Sequence, residues 1–482
     1  ASAMGAVSWA KYTEKPGFAM LTTGCGGTNG ITGLLNGWQD NVACLFVSGQ
    51  TKRKETIQNS GLALRQFGVQ EADIVPVVTP LTKYAVMLND PGMVAYELEK
   101  ALYIASSGRP GPVWIDIPMD VQGAQIDETS LRHFSPAEIP EIKTAAEPSE
   151  IESIIQALKA ARRPMIIAGN GVRLSKGISE FRALVEKTGL PYVASRLGID
   201  LLPGRHPSFI GRIGNKGDRA GNFSVQNADL VLAIGSRLSV SSTGHEYKTF
   251  AREAKIIVVD IDPVEHKKNT VRIDQFIQAD ARKLLQGLQQ GLEGYRAPAD
   301  WLATCQRWKQ TWPVFLDEYR KQQGGVNMYH FTDVLSKLLP DNGVIVSDAG
   351  SSFYVASQGV MLRDGQRYIT SGGQAEMGYT LPASIGIAFA AGGAEVAGIT
   401  GDGSFQMNIQ ELQTLVQYQV PVKLFVWNND GYLSIRATQG KFFEGRFIGT
   451  DKESGVSFPE VCKIAEAYGL PFVKISNPAE LE

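Results

Sequence analysis

The stretch EVAGITGDGSFQMNIQELQTLVQYQVPVKLFVWNND, residues 395–430, decides how this chain is read. An apolar run over 396–400 breaks at Gly401-Asp402-Gly403, and a second run over 422–427 breaks at Asn428-Asn429. Residues 404 to 427, 24 positions, separate the two breaks. Between them Ile409, Leu412, Leu415 and Val416 form one apolar helical face, and Asn408 with Glu411 three residues on predicts the helix start as a capping pair. Strand, helix, strand sets both loops at the carboxyl edge of a parallel sheet, where α/β proteins bind ligands. Mg²⁺ takes six oxygens in a tight octahedron and shares its shell with phosphates. Asp402 offers a carboxylate, Asn429 an amide oxygen, and the turn near Gly431 a backbone carbonyl, so these three are the candidate metal ligands. Backbone N–H groups of Gly403 and Ser404 are open to a diphosphate.

The same rhythm fills the chain. FAMLTTG, ACLFVSG, PVWIDIP, PMIIAGNG, LVLAIGS, KIIVVDID, GVIVSDAG, EVAGITGDG and VKLFVWNN are short apolar runs that break at glycine, proline or a polar residue and alternate with helical patterns. Strands apolar on both faces belong to parallel sheets covered by helices, so the fold class is α/β, doubly wound. Two stretches interrupt the alternation: residues 121–150, polar and proline-containing, and about 290–328, with Trp301, Trp308 and Trp312. Read as connectors, they predict three domains over 1–125, 150–290 and 328–482. LTTGCGGTNG and ITGDGSFQMN are both strand, glycine turn, helix, a loose likeness between the first and third domains. Both ends read as cut: Ala1 falls inside a helical pattern, and FVKISNPAELE passes from a strand to a helix cap at Asn477-Pro478.

Composition narrows the class. With 482 residues the chain is too long for one core. Lys plus Arg total 47 against 49 Asp plus Glu, which argues against a nucleic-acid partner. The 51 glycines suit tight turns and close backbone approaches to ligands. Cys25, Cys44, Cys305 and Cys462 are scattered without CxxC spacing, so a disulfide framework or zinc site is not expected and a cytoplasmic location is. No apolar run reaches membrane-spanning length.

At Gly-Asp-Gly, spacer and Asn-Asn the chain resembles the thiamine-diphosphate enzymes, and further segments are similar to their acetolactate synthase and pyruvate oxidase branch. SDAGSS (347–352) lies where that family holds the diphosphate, which implies Gly350, Ser351 and Ser352 at a helix start that attracts phosphate. TSGGQAEMGYTLPASIGIA (370–388) resembles the segment whose methionine wedges under the thiazolium, which implies that role for Met377 and a backbone contact from Ala375 to the aminopyrimidine. TTGCGGTNGITGL, SGQ (48–50), VQEAD (69–73), LTK (81–83) and SGRPGPVWIDIP (107–118) match the first domain, and the resemblance sets Gly27, Gln50 and Lys83 on the substrate side. GNGVR, GRIGNKG, AIGSRL, VVDIDP and QADA match the middle domain that holds FAD in this branch, with Gly235 and Arg237 toward the ribityl or phosphate part and Asp260, Ile261, Asp280 and Ala281 toward the adenosine. Relatives without FAD keep the same rhythm, so a structural domain or an ADP site stays open.

The resemblance also implies a glutamate that activates the cofactor. Ser8-Trp9-Ala10-Lys11 aligns with the family's GYAR, which sets that glutamate just ahead of Ala1; Glu14 lies beyond the matched segment. The implied reaction is decarboxylation of a 2-oxo acid such as pyruvate and transfer of the two-carbon unit. No adjacent histidines occur, unlike in the simple decarboxylases. Where acetolactate synthases carry a tryptophan past the Asn pair this chain has Thr438, with Ser434 and Ile435 near the substrate. NNDGYLSIRATQ looks more like relatives of surface-polysaccharide synthesis, in which a flavoprotein adds the unit to a keto-sugar nucleotide. Acetolactate-type condensation, keto-sugar carboligation, a pyruvate oxidase-like reaction and a non-catalytic cofactor-binding homologue are the readings weighed. A homo-oligomer, dimer or tetramer, with the site shared between two chains and a possible regulatory subunit, completes the expectation.

Overall fold

Most of the apolar runs become strands buried on both faces; in PMIIA (164–168) and LVLAI (230–234) every residue is buried, whereas in GFAML (17–21) Phe18 and Met20 are exposed. The computed structural model describes residues 1–481. Its first sheet contains β1 (Gly17–Leu21), β2 (Cys44–Gln50), β3 (Tyr84–Met87) and β4 (Pro112–Pro118), in the order β1-β2-β4-β3 and parallel throughout. The second contains β5 (Pro164–Ala168), β6 (Tyr192–Ala194), β7 (Phe209–Arg212), β8 (Leu230–Ile234), β9 (Lys255–Asp260) and β10 (Gln275–Gln278), in the parallel order β10-β9-β8-β5-β6-β7. The third contains β11 (Val344–Ser347), β12 (Arg367–Thr370), β13 (Val396–Gly401) and β14 (Val422–Trp427), in the order β12-β11-β13-β14. All three are parallel-sheet α/β domains.

In the second sheet the winding reverses between β5 and β8, and in the third between β11 and β13. Such reversals open a crevice at the carboxyl ends of the strands. The strands that sequence reading did not single out are β3, β6, β7, β10 and β12; four of these five are sheet edges, and none exceeds four residues. The C-terminal FVKIS carries no strand, and Phe472, Val473 and Ile475 are exposed. The Asn477 cap does form, its side-chain oxygen accepting from Ala479 N at 3.0 Å.

Part of the stretch read as a second connector packs on the middle domain. Its helix Ala299–Thr311 sets Trp301 and Cys305 on one face, both buried in the core of Met165, Val231 and Val258. Trp301 Nε1 donates to Pro164 O at 2.9 Å, so the indole is satisfied where it is buried.

By backbone contacts the chain forms two units. One comprises Ala1–Glu141, Ile345–Ser352 and Ile369–Phe472, and the other the remaining described residues. In the first unit the helix Ser2–Thr13 crosses the helix Thr380–Ala390 at two glycines. A Cβ on Gly386 would lie 2.2 Å from Gly5 O, so the backbones touch. Gly386→Val is expected to lower stability by about 1–3 kcal/mol through overpacking, read as a lower urea midpoint. An unchanged midpoint would contradict the crossing.

Candidate active site

The site is assembled on the third sheet from the strand ends upward. Gly401 pairs with Trp427 in register, so Asp402 and the Asn pair leave adjacent parallel strands at the same level. Asp402 is buried. Its Oδ1 accepts from Gly403 N at 2.8 Å, and its Oδ2 from Asn429 N and Gly431 N at 3.1 Å each. Asn429 Oδ1 is buried and accepts no hydrogen bond, which suits an oxygen reserved for a cation. Gly431 has φ 141°, and a Cβ there would lie 2.0 Å from Thr450 O, so only glycine fits. Among the described residues no group of three or more His, Cys, Asp or Glu could hold a metal ion. The donor set is therefore mixed, one carboxylate with amide and backbone oxygens, and it fits Mg²⁺ bound jointly with a phosphate.

The helix between these loops differs from expectation. A helical turn begins at Asp402 itself (Asp402–Phe405), and Asn408 is a kink with φ −136° rather than a cap. Its amide donates to Gly378 O at 2.8 Å, a tertiary bond that outcompetes the local cap. Leu412 and Leu415 do face the core from the following helix, Leu412–Tyr418.

Sequence reading missed Asp348, the residue that ties the loops together. It follows β11, is fully buried, and has no cationic partner among the groups acting on it. Its Oδ2 accepts from Ser404 Oγ at 2.5 Å and Thr400 Oγ1 at 2.8 Å; its Oδ1 accepts from Ala349 N at 2.7 Å and Ser352 Oγ at 2.9 Å. Ser404 Oγ in turn accepts from Gly378 N at 2.7 Å. Burial pushes the Asp348 carboxyl above the usual range, against these hydrogen bonds. The hydroxyls of Ser352 and Ser404 are thus turned inward, and what these residues can offer a diphosphate is backbone N–H. Gly350, with φ 60°, lies beside Ser434, whose Oγ is 3.5 Å from where a Cβ would stand. Ser351 is half-buried.

A second polar network stands behind Ala375 and Met377. Ala375 has φ 52°, a left-handed conformation held by its N–H on Ser371 O at 3.0 Å. Met377 is half-buried. Glu376 between them points inward, accepting from Ser371 Oγ and from Asn36 Nδ2 at 2.8 Å. Lys11 donates to Asn36 Oδ1 at 2.8 Å, Asp40 Oδ2 at 2.7 Å and Thr370 O at 3.0 Å, and Asp40 accepts from Gly372 N and Gly373 N at 2.8 Å each. Burial raises the Glu376 carboxyl, and Asp40 adds to this, while Ser371 and Lys11 oppose it. Side chains of the first domain therefore hold the 370–377 backbone.

In the first sheet Gln50 ends β2 at the carboxyl edge, buried, with Nε2 on Ala72 O and Asp116 Oδ2 at 2.9 Å each. Lys83 is not brought there. It precedes β3 at the opposite edge, since Tyr84 pairs with Val113 whereas Gln50 pairs with Pro118, about 17 Å further along at roughly 3.3 Å per residue. Its ammonium caps the end of the helix Val94–Ser106 by donating to Ile104 O and Ser107 O. The loop after β1 turns Gly27 inward against Ile74 and Trp114, and leaves Cys25, Thr28 and Asn29 outside.

In the middle domain Gly235, Asp260 and Ile261 end or follow β8 and β9, and Asp280 and Ala281 follow β10, so all lie on one carboxyl edge. A Cβ on Gly171 would stand 2.5 Å from Gly235 Cα, a backbone contact right at the winding reversal. Asp280 caps the helix Ala281–Gly291 through Lys283 N at 3.1 Å, and Asp260 Oδ2 lies 3.4 Å from His266 Nε2. Arg237 O accepts from Lys268 Nζ at 2.5 Å. Beyond the Asn pair, the helix Leu433–Phe442 exposes Ser434, Ile435 and Thr438.

Three parallel α/β sheets, with Asp402 and Asn429 together at the carboxyl edge of the third, suit an enzyme that binds its ligand at the strand ends. The comparisons agree: residues 1–75, 151–288 and 348–482 match the thiamine pyrophosphate enzyme N-terminal TPP binding domain, central domain and C-terminal TPP binding domain. The chain is 30% identical to acetolactate synthase isozyme 3 large subunit of Escherichia coli (strain K12), over 98% of this chain and 81% of the relative. It is 31% identical to the acetolactate synthase large subunit of Lactococcus lactis subsp. lactis, over 99% and 80%. It is 32% identical to a probable acetolactate synthase large subunit of Methanocaldococcus jannaschii, over 100% and 80%. The chain belongs to the acetolactate synthase large-subunit family of thiamine pyrophosphate enzymes. Among the described residues no helix is long and apolar enough to cross a membrane.

Asp348→Ala removes the shared acceptor of five donors, the fifth being Thr380 N at 3.4 Å. It is expected to cost on the order of 3 kcal/mol in urea unfolding. A loss under about 1 kcal/mol would show that the loops stand without it.

Proposed function

We propose that the chain decarboxylates pyruvate and transfers its two-carbon unit to a carbonyl acceptor, as an acetolactate synthase does. The observation that carries the reading is the buried, unpartnered Asn429 Oδ1 beside Asp402 at the edge of the third sheet. When bound, thiamine diphosphate supplies the nucleophilic carbon and the electron sink for loss of CO₂. Asp402, Asn429 and a carbonyl near Gly431 would hold Mg²⁺, and backbone N–H groups at Gly350, Ser351, Ser352 and Ser404 would bind the diphosphate, whereas the Gly403 N–H is taken by Asp402 Oδ1. Met377 and the Ala375 backbone would set the cofactor's shape, with a glutamate ahead of Ala1 as its activating acid. Gln50 would face the substrate from the first domain, and Ser434 and Ile435 from the third.

The middle domain is proposed to hold FAD at its carboxyl edge, with Gly235 and Arg237 toward the flavin side and Asp260, Ile261, Asp280 and Ala281 toward the adenosine. The reversal between β5 and β8, where only glycine fits, supports this. An assembly of at least two chains, with a further subunit, is supported by relatives named as large subunits. Four cysteines without a disulfide suit the reducing cytoplasm. A second acceptor, a keto-sugar nucleotide, is favoured by one feature. Thr438 donates to Ser434 O at 3.0 Å and is exposed, which leaves open the space a tryptophan would fill.

With pyruvate, Mg²⁺ and thiamine diphosphate, NMR of the products is expected to show acetolactate. CO₂ release that waits for a keto-sugar nucleotide would select the second acceptor, and no release with either would contradict the proposal. Changes behind a metal ligand cost about 10–100-fold in metal affinity. Asp402→Ala, at the ligand itself, is expected to weaken Mg²⁺-dependent cofactor binding by more than that in calorimetry. An unchanged affinity would remove the site. The purified protein is expected to be yellow; a colourless protein that takes up no FAD would remove the flavin.

A further inference from the structure

Behind Gln50 lies a buried polar chain that the proposed reaction does not use. Trp114 Nε1 donates to Ser48 Oγ at 2.8 Å, Ser48 Oγ donates to Asp116 Oδ1 at 2.5 Å, and Gln50 Nε2 donates to Asp116 Oδ2 at 2.9 Å. The side chains stand on neighbouring strands, with Ser48 paired to Asp116 and Gln50 to Pro118. Ser48, Gln50 and Asp116 are all at least 96% buried, at 2%, 4% and 1% exposure, so water does not scramble the chain.

An ionised carboxylate only accepts. Asp116 in that form admits the Gln50 nitrogen and excludes its oxygen, which leaves Oε1 on Thr51 N at 2.9 Å. Once protonated on Oδ2, Asp116 no longer accepts there from Gln50 Nε2, and the amide keeps only Ala72 O and Thr51 N as partners, at 2.9 Å each. The charged groups acting on Asp116 are both acidic: Asp73, which heads the helix Ile74–Val78, and Glu71, which is held by Ile57, Phe67 and Gly68 N–H groups. On the following turn Asp120 is occupied by Arg53 at 2.8 Å, and from β3 the register partner is the uncharged Met87. Burial first, then these acids, push the Asp116 carboxyl up to about 6, against the hydrogen bonds from Ser48 and Gln50.

We propose that Asp116 is a positioning residue for Gln50, and that its ionised form holds the amide in the orientation turnover requires. The inference rests on Gln50 being a substrate-side residue. The sign is fixed: Asp116 is ionised above its pKa, so activity is kept at higher pH and lost as pH falls through about 6.

The test uses the holoenzyme with pyruvate. For the unaltered chain, kcat/KM is expected to fall about tenfold per pH unit below that point. Asp116→Asn keeps the shape and an acceptor for Gln50 but does not titrate, so this acid limb is expected to disappear. A merely structural aspartate would leave the limb in place. Independently of activity, a protonated-carboxyl infrared band is expected to titrate at the same pH, to vanish in Asp116→Asn, and to shift to higher pH in Gln50→Leu. All of these together support the inference. A titrating band without an acid limb would overturn the turnover claim and place the fault in the Gln50 reading. The absence of the band, or an acid limb unchanged in Asp116→Asn, would overturn the role of Asp116 itself.

Discussion

The cofactor edge of the third sheet depends on one buried carboxylate without a counter-charge. Such a group is costly to bury unless its lone pairs are filled. Asp348 fills them with Ser404, Thr400, Ser352, Ala349 N–H and, more weakly, Thr380 N–H, that is, with the turn after β11, the end of β13 and its loop, and the start of the helix Thr380–Ala390. Ser404 extends the grip to Gly378 N, just past Met377. Hydrogen bonds to a charged group are worth about 1.5–3 kcal/mol each, enough to select one arrangement of the turns that meet there. The backbone N–H groups proposed to bind a diphosphate and the Asp402–Asn429 pair inherit their positions from that arrangement.

A second buried network acts one layer further out. Lys11 sits on the helix that crosses Thr380–Ala390 at Gly5 and Gly386, and it reaches Asn36, Asp40 and Thr370 O. Asp40 then holds Gly372 and Gly373 while Asn36 holds Glu376. The left-handed Ala375, closed within its loop by Ser371, is thereby flanked on both sides by residues that side chains of the first domain hold. Packing of two helices and the shape of the expected pyrimidine contact are one structural fact.

Much of this was legible from sequence, for a physical reason. Seven of the nine strands that announce themselves are largely buried, the edge strands β1 and β14 being apolar but partly open; the short edge strands β7, β10 and β12 carry polar residues, and β3 is only four residues long. Gly-Asp-Gly and Asn-Asn are local and evenly spaced, and the parallel register aligns them. The buried acids are different. Asp348 meets Thr400 and Ser404 at 52 and 56 residues' separation, and Glu376 meets Asn36 at 340, so no local pattern marks them. Two readings failed on long-range geometry. The Asn408 cap loses to a bond with Gly378 O, and Lys83 lies at the wrong edge because position along a motif does not say which end of a strand it occupies.

The central claim is that Asp402 and the unpartnered Asn429 oxygen form a cation site for a diphosphate. Crystals grown with thiamine diphosphate and Mn²⁺ in place of Mg²⁺ test it through the anomalous signal of the metal. The account predicts one strong peak about 2.1 Å from both Asp402 Oδ and Asn429 Oδ1. A peak elsewhere, or cofactor bound with Asn429 Oδ1 still without a partner, would contradict it.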